Sequence, residues 1–268
     1  MTRLSKFTIM AMCMIGAPLQ AHEFWIEAED YTAASGTTVS ATFRNGQELS
    51  GAVLSYIPAR SARFDMVVGQ EVVPVSSRIG NNPAFQVAGL PDGLLTVIQE
   101  TTAQTLVYSE WEKWVKFTEH KDFTFAQQAH IDRGLPQEGF KESYLRYAKA
   151  LIAVGDGAGS DARRGLRAEI VAGANPYTDD LSGGLPVQVF FDDAPKANAQ
   201  VEMFAKAPNG EVEVTLHRTD ADGRVTLPVV AGHEYLLDSV TVLPVEPALE
   251  GDPVWQTHWA ALTFAVPQ

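Results

Sequence analysis

Hydrophobic and polar positions alternate in short runs along much of the chain. In "TTVSATFRNG", Val39, Ala41 and Phe43 share one face with polar residues between them, which predicts a half-buried strand stopping at the turn dipeptide Asn45-Gly46. "RFDMVVGQEVVPV" reads as two strands around Gly69-Gln70, with Gly first as a type II′ hairpin prefers. "FQVAGLPDGLLTVIQET" repeats that form around Pro91-Asp92-Gly93. Short strands at this spacing predict a β-sandwich over residues 22–117.

The pattern changes after Val107. The stretch from Tyr108 to Gly155 is rich in Lys, Glu, Gln and aromatics, and Asp122 or Thr124 can cap a short helix over Phe125–Arg133 that stops at Gly134. Phe140, Tyr144, Tyr147 and Leu151 begin with helical spacing, while the end of that run, "AKALIAVG", fits a strand equally well. The glycine-rich Gly155–Gly165 marks the boundary, so residues 118–164 are expected to be a helical insert and linker. From Leu166 the β pattern returns through "LPVQVFF", "AQVEMFAKAPNGEVEVTLHR" and "HWAALTFAV", with Asn209-Gly210 as a strong hairpin signal. The expected fold class is all-β: two β-sandwich domains, 22–117 and 165–268, flanking the insert. No repeat with a period of about 20–50 residues is visible.

The first residues change the picture. "MTRLSKFTIMAMCMIGAPLQA" has two cations, an apolar run from Phe7 to Ala17, Pro18 and a small residue at Ala21. That is the layout of a secretory signal peptide over residues 1–21, too short to span a bilayer. Cleavage after Ala21 leaves His22 first; cleavage after Ala17 is the alternative. The single cysteine, Cys13, lies in this segment, so the remaining 247 residues have no disulfide, thiolate metal site or cysteine nucleophile. They carry 33 acids against 18 bases, a formal charge of −15. Nucleic acid is a poor partner for such a chain and cations are natural ligands. No later run is apolar enough for a membrane helix, so no membrane insertion is expected after cleavage.

The candidate chemistry rests on histidines. There are six, and none stands in an HxxxH or HExxH spacing, so a metal site must be assembled by the fold. His22 is the sharpest: an α-amine titrating at about 8 and an imidazole at about 6.5 on one residue can chelate a borderline metal such as copper or nickel. Glu23 stands within reach as a supporting carboxylate, while Phe24 and Trp25 are expected to anchor the first strand in the core. His120 in "EHKDF" and His130 in "QQAHIDRG" converge if the helix folds back on the strand before it. His258, between Trp255 and Trp259 at the start of the last strand, completes the candidate metal set. His217 and His233 read as structural or exposed. "TDADGRV" lacks the glutamate of a calcium loop, since the twelfth position from Asp220 is Ala231, and reads as a turn. The serine-hydrolase elbow, Walker loop and dinucleotide glycine motif are all missing from the sequence.

Taken in order, "AHEFWIE", "YLRYAKALIAVG", "GLRAEIVAGANPY", "DAPKANAQVEMF", "TDADGRVTLPVVAG" and "WAALTF" resemble a family of secreted bacterial proteins of unknown function, grouped with periplasmic components of nickel and cobalt uptake systems. The resemblance implies a periplasmic location and two β-rich domains of immunoglobulin-like or transthyretin-like type. It implies a binding protein, not an enzyme, that supplies nickel or cobalt to a membrane uptake system of the ABC-transporter kind. His22, Phe24 and Trp25 match the family's start, and His22 is the ligand it carries over; His120, His130 and His258 come from histidine chemistry alone. Two other readings stand beside it: a copper enzyme with an amino-terminal histidine brace, and a metal-free sandwich that binds partners.

Overall fold

The computed structural model describes residues 22–268; the expected signal peptide and Cys13 lie outside the described residues. In chain order the first part holds β1 (Glu23–Ala28), β2 (Thr32–Ala33), β3 (Thr38–Gln47), β4 (Ser50–Leu54), β5 (Ser61–Val68), β6 (Glu71–Pro74), β7 (Phe85–Ala88), β8 (Gly93–Thr101) and β9 (Gln104–Tyr108). Two helices, α1 (Trp111–His120) and α2 (Phe125–Asp132), precede the long β10 (Phe140–Val154). The rest is β11 (Ala168–Ala172), β12 (Leu185–Phe191), β13 (Ala194–Pro195), β14 (Gln200–Lys206), β15 (Val212–Arg218), β16 (Arg224–Leu227), β17 (Glu234–Pro244) and β18 (Trp255–Ala265).

The fold is all-β and sandwich-like, in three layers. A central sheet runs β15-β14-β17-β18-β10-β8-β5-β6, with β2 and β9 also paired to β10. One outer sheet holds β1, β3, β4 and β7, the other β11, β12, β13 and β16. Phe24, Ile26, Val39 and Phe85 from the first outer sheet pack on Val97, Ala148, Ala150, Ile152 and Ala261 of the central one. Ile170, Val187 and Val189 from the second pack on its opposite face, against Ile98, Tyr147, Leu151 and Leu262. Neighbouring residues of β10 and β18 thus face opposite cores.

That double burial explains the main differences from the sequence reading. The run from Phe140 is a strand, not a helix, because a strand covered on both faces loses its polar–apolar alternation and can mimic helical spacing. The division expected at residue 165 does not divide the sheets: β10 pairs in parallel with β18, from Glu142↔Trp255 to Ala150↔Thr263, so strands from both sides of the boundary share the middle layer. Asn45-Gly46 lies within β3, and the turn comes at Glu48 and Leu49, both with positive φ. Gly46 is needed there because Gly51 lies directly opposite; a Cβ on Gly46 would meet the Gly51 Cα at 2.4 Å. β7 and β8 do not form a hairpin around Pro91-Asp92-Gly93, since β7 joins β3 in the outer sheet and β8 joins β5 and β10. The hairpins at Gly69-Gln70 and Asn209-Gly210 form as expected, and α2 stops before Gly134, whose φ is +65°.

The linker is tied to the core by a buried charge cluster. The Lys149 ammonium, on β10, donates to both Asp161 oxygens at 2.9 Å and to Glu169 Oε1 at 3.2 Å, and all three side chains are at most 1% exposed. Removing only the cation leaves two buried carboxylates without their counter-charge, a loss of about 3–5 kcal/mol. Lys149→Met should lower the unfolding free energy at pH 7 by that order, read by urea denaturation; a change below about 1 kcal/mol would show that the cluster relaxes into water.

Candidate functional site

The candidate site forms where α1 meets the central sheet. Trp114, Phe117 and Thr118 are the buried face of α1, and Lys121, one turn beyond Phe117, continues that stripe into the core. On the sheet, Glu202 of β14 and Asp238 of β17 are direct cross-strand partners. Two carboxylates in that position repel unless a cation lies between them. The Lys121 ammonium fills that role: it donates to Asp238 Oδ2 at 2.9 Å, to Glu23 Oε1 of β1 at 3.1 Å and to Glu202 Oε2, and it stands 4.9 Å over the Trp259 ring.

His120, the last residue of α1, reaches the same group from the solvent side. Its side chain is 45% exposed, and its Nε2 lies 3.0 Å from Glu202 Oε1, an oxygen that is buried and receives no well-directed hydrogen bond. Glu23, His120 and Glu202 each offer a ligand atom within 4.8 Å of the others. His22 immediately precedes Glu23 and is exposed.

The electrostatics follow from burial and crowding. Burial pushes the Glu23 carboxyl up to about 7 against the pull of Lys121, with Asp238 and Glu202 adding to the rise. Asp238 is raised by burial in the same way. Burial disfavours the Lys121 charge, yet Asp238, Glu23 and Glu202 together outweigh it and raise its pKa. His120 is raised by its contact with Glu202, while Glu202 is lowered because His120 and Lys121 outweigh its burial. One imidazole and carboxylate oxygens facing an opening suit a borderline or hard divalent cation.

His130 and His258, expected as ligands, are placed elsewhere. His130 is fully buried among Trp111, Trp114, Phe140 and Trp255. Trp255 Nε1 donates to its Nδ1 at 3.0 Å, so Nε2 carries the proton and faces the Pro136 carbonyl at 3.0 Å; both nitrogens are used. His258 lies on the opposite face of the central sheet, with Nδ1 3.0 Å from the Tyr147 hydroxyl and Nε2 3.0 Å from Gln256 Oε1. Burial, with help from Arg167, presses its pKa down to about 4. Polar partners next to these two rings, the Trp255 N–H and the Tyr147 hydroxyl among them, already engage their nitrogens. Of the four histidines, the fold therefore brings only His22 and His120 to the neighbourhood of Glu23.

Lys121, Glu202 and Asp238 were not singled out from the sequence. The signal was present as charge on apolar faces: Glu202 shares parity with Phe204 in β14, Asp238 with Leu236 and Val240 in β17, and Lys121 lies on a Trp-Phe helical stripe.

A cavity of about 510 Å³ opens next to this group and shares with it Trp259 and Phe117, along with His22 and Phe24. Inside it, Tyr108 donates to Glu142 Oε2 at 2.7 Å and the Thr257 hydroxyl donates to Oε1.

A profile of the family described as Domain of unknown function (DUF4198) matches residues 19–242. The chain belongs to this family. Among curated proteins, nothing matches the DUF4198 chain. Twenty chains of solved structures match it, and three of these have TM-scores too low to carry an argument. A tetra-tandem repeat from the extending region of a large adhesion protein is 13% identical over 92% of this chain and 50% of its own, with a TM-score of 0.19. This chain thus spans half the length of that protein. The D0-D1 domain of Intimin is 12% identical over 91% of this chain and 97% of its own, at 0.22. A Salmonella alpha-2-macroglobulin mutant is 13% identical over 97% and 16%, also at 0.22. Among the described residues no helix is long and apolar enough to cross a membrane.

Glu142 gives this region a pH signature. Burial pushes its carboxyl from 4.5 up to about 7, against the Thr257 and Tyr108 hydrogen bonds and the Arg146 charge. Between those values the folded chain holds a proton that the unfolded chain has released, so stability falls as pH rises through the window. Each such group contributes at most about 1.4 kcal/mol per pH unit. Glu142→Gln should remove its share: the stability difference between wild type and variant should shift with pH between 4.5 and about 7 and be flat above. Parallel curves from urea denaturation across that range would contradict a titrating Glu142.

Proposed function

We propose that this DUF4198 chain is a metal-binding accessory protein that captures one divalent transition-metal ion, nickel or cobalt first and copper as an alternative, for a membrane uptake system. The observation that carries the reading is the meeting of His120 Nε2, Glu202 Oε1 and Glu23 within 4.8 Å, beside an exposed His22. The donor set fits such an ion. The imidazole and two carboxylates supply three positions; His22, next to Glu23 in sequence, would have to turn toward them to add its ring and, when the chain is cut after Ala21, its terminal amine. A Glu23 carboxyl near 7 and an imidazole both lose protons on loading, so affinity rises with pH. Lys121 already neutralises the deeper oxygens, which confines the ion to the outer side of the cluster and favours release over permanent burial.

Periplasmic location and hand-over to an ABC-type transporter are part of the same proposal. They rest on the signal-like first segment and on the sequence resemblance to nickel and cobalt uptake components. The role is binding, with no catalytic step assigned.

Calorimetric titration of EDTA-stripped protein beginning at His22, with nickel, cobalt, copper and zinc salts, tests the reading. The expected result is about one ion per chain, weakened at least tenfold (about 1.4 kcal/mol) by His120→Ala and by Glu202→Gln. An Ala21 residue left before His22 should weaken nickel and copper binding if the amine is a ligand. Stoichiometric binding unchanged by both substitutions would place the ion elsewhere, and no binding of any of the four ions would leave a metal-free interaction module.

A further inference from the structure

The cavity beside the metal candidate has chemistry of its own. Its walls are aromatic and aliphatic, with Phe43, Tyr56, Leu106 and Trp259 among them, and its volume falls within the span of about 300–1,000 Å³ usual for small-molecule sites. Two cations line it, Arg146 and Arg60, in a chain whose net charge is −13. Neither makes an ion pair among the described residues.

Arg146 is the sharper case. Its guanidinium lies 5.1 Å from the Tyr144 ring, 5.4 Å from Trp259 and 6.0 Å from Phe24, stacked among aromatic faces. Its one hydrogen bond goes to a neutral acceptor, Asn45 Oδ1, at 2.8 Å, and its Nε is buried without a partner. Among the described residues the one carboxylate lining the cavity, Glu142, has its two oxygens taken by Tyr108 and Thr257. The nearby Gln99 amide is likewise committed, donating to Ser61 Oγ at 3.1 Å. The walls therefore hold a desolvated cation with carboxylates nearby but none in direct contact with it among the described residues. A guanidinium pairs best with a planar carboxylate.

We propose that this cavity binds a small organic carboxylate with an aromatic body, its acid group on Arg146, supported by Arg60, and its ring against Trp259, Tyr56 and Phe43. Such a ligand supplies the direct charge contact and fills the apolar volume with one molecule. Neither arginine is among the proposed metal ligands, although His22 borders both the cavity and the metal candidate.

The test uses the chain from His22 onward, kept in EDTA so that no metal takes part. Phenylacetate and indole-3-acetate are titrated beside their neutral amides, phenylacetamide and indole-3-acetamide, by calorimetry and by amide and indole NMR. At least one acid should bind with a Kd below about 1 mM, move the Trp259 indole signal, and bind at least tenfold tighter than its amide. Arg146→Gln should remove that preference and Arg146→Lys restore part of it; Arg60→Gln, at an exposed position, should weaken the acid without disturbing the fold. The comparison of acid with amide in the wild-type chain stands even if the Arg146 variants do not fold. Equal binding of acid and amide overturns the proposal, as does the absence of binding by both acids, or binding that leaves Trp259 unmoved.

Discussion

The parallel pairing of β10 with β18 is the constraint on which the rest of the molecule depends. Once a strand from residue 140 onward lies beside one from residue 255 onward, the strands before and after the glycine-rich linker must share a sheet. Both faces of that sheet then need covers, which the two outer sheets supply. Side chains successive along β10 serve different cores. Ala148 and Ala150 face the first outer sheet, while Tyr147, Leu151 and the ammonium of Lys149 face the second side.

A middle layer covered on both sides also sets where charge can be tolerated. Among the described residues, Lys149 and Lys121 have fully buried ammonium groups, and each is surrounded by carboxylates from other segments. Desolvation alone makes either group unfavourable, so each cluster holds only as a complete set. Lys121 links β1, β14 and β17 through a helix end. The candidate metal ligands are the outer fringe of that set: Glu23 and Glu202 are oriented by Lys121, and His120 is its neighbour in the chain. The cavity is bounded by the same aromatic wall, Phe117 stacked on Trp259 at 5.7 Å.

Local chemistry was readable where local forces decide. The hairpins at Gly69-Gln70 and Asn209-Gly210 and the short α2 follow from turn glycines and spacing, and Phe24 and Trp25 are buried as their apolar character requires. What escaped was set by long-range pairing. β10 reads as helical because nothing in its own residues says that two covers arrive from elsewhere, and α1 was hidden by its polar composition despite the Trp114–Phe117 stripe. Of the four candidate histidines, only His120 joins the carboxylate group, with His22 adjoining that group in sequence through Glu23. Histidine chemistry could not show that Trp255 would saturate His130, or that His258 and Trp259, adjacent in sequence, would face opposite layers.

The place of β18 in the sheet has a consequence for assembly. Trp255–Ala265 forms one of the middle strands, yet it follows every other described strand in the chain and so emerges after them during synthesis. Until it arrives, β10 presents an unpaired edge and β17 lacks its neighbour, so neither core can close around its central layer. Closure of the central sheet therefore depends on long-range pairing, with high contact order, and not on two halves completed one after the other. A chain built this way cannot close its central layer until two strands more than 100 residues apart have met.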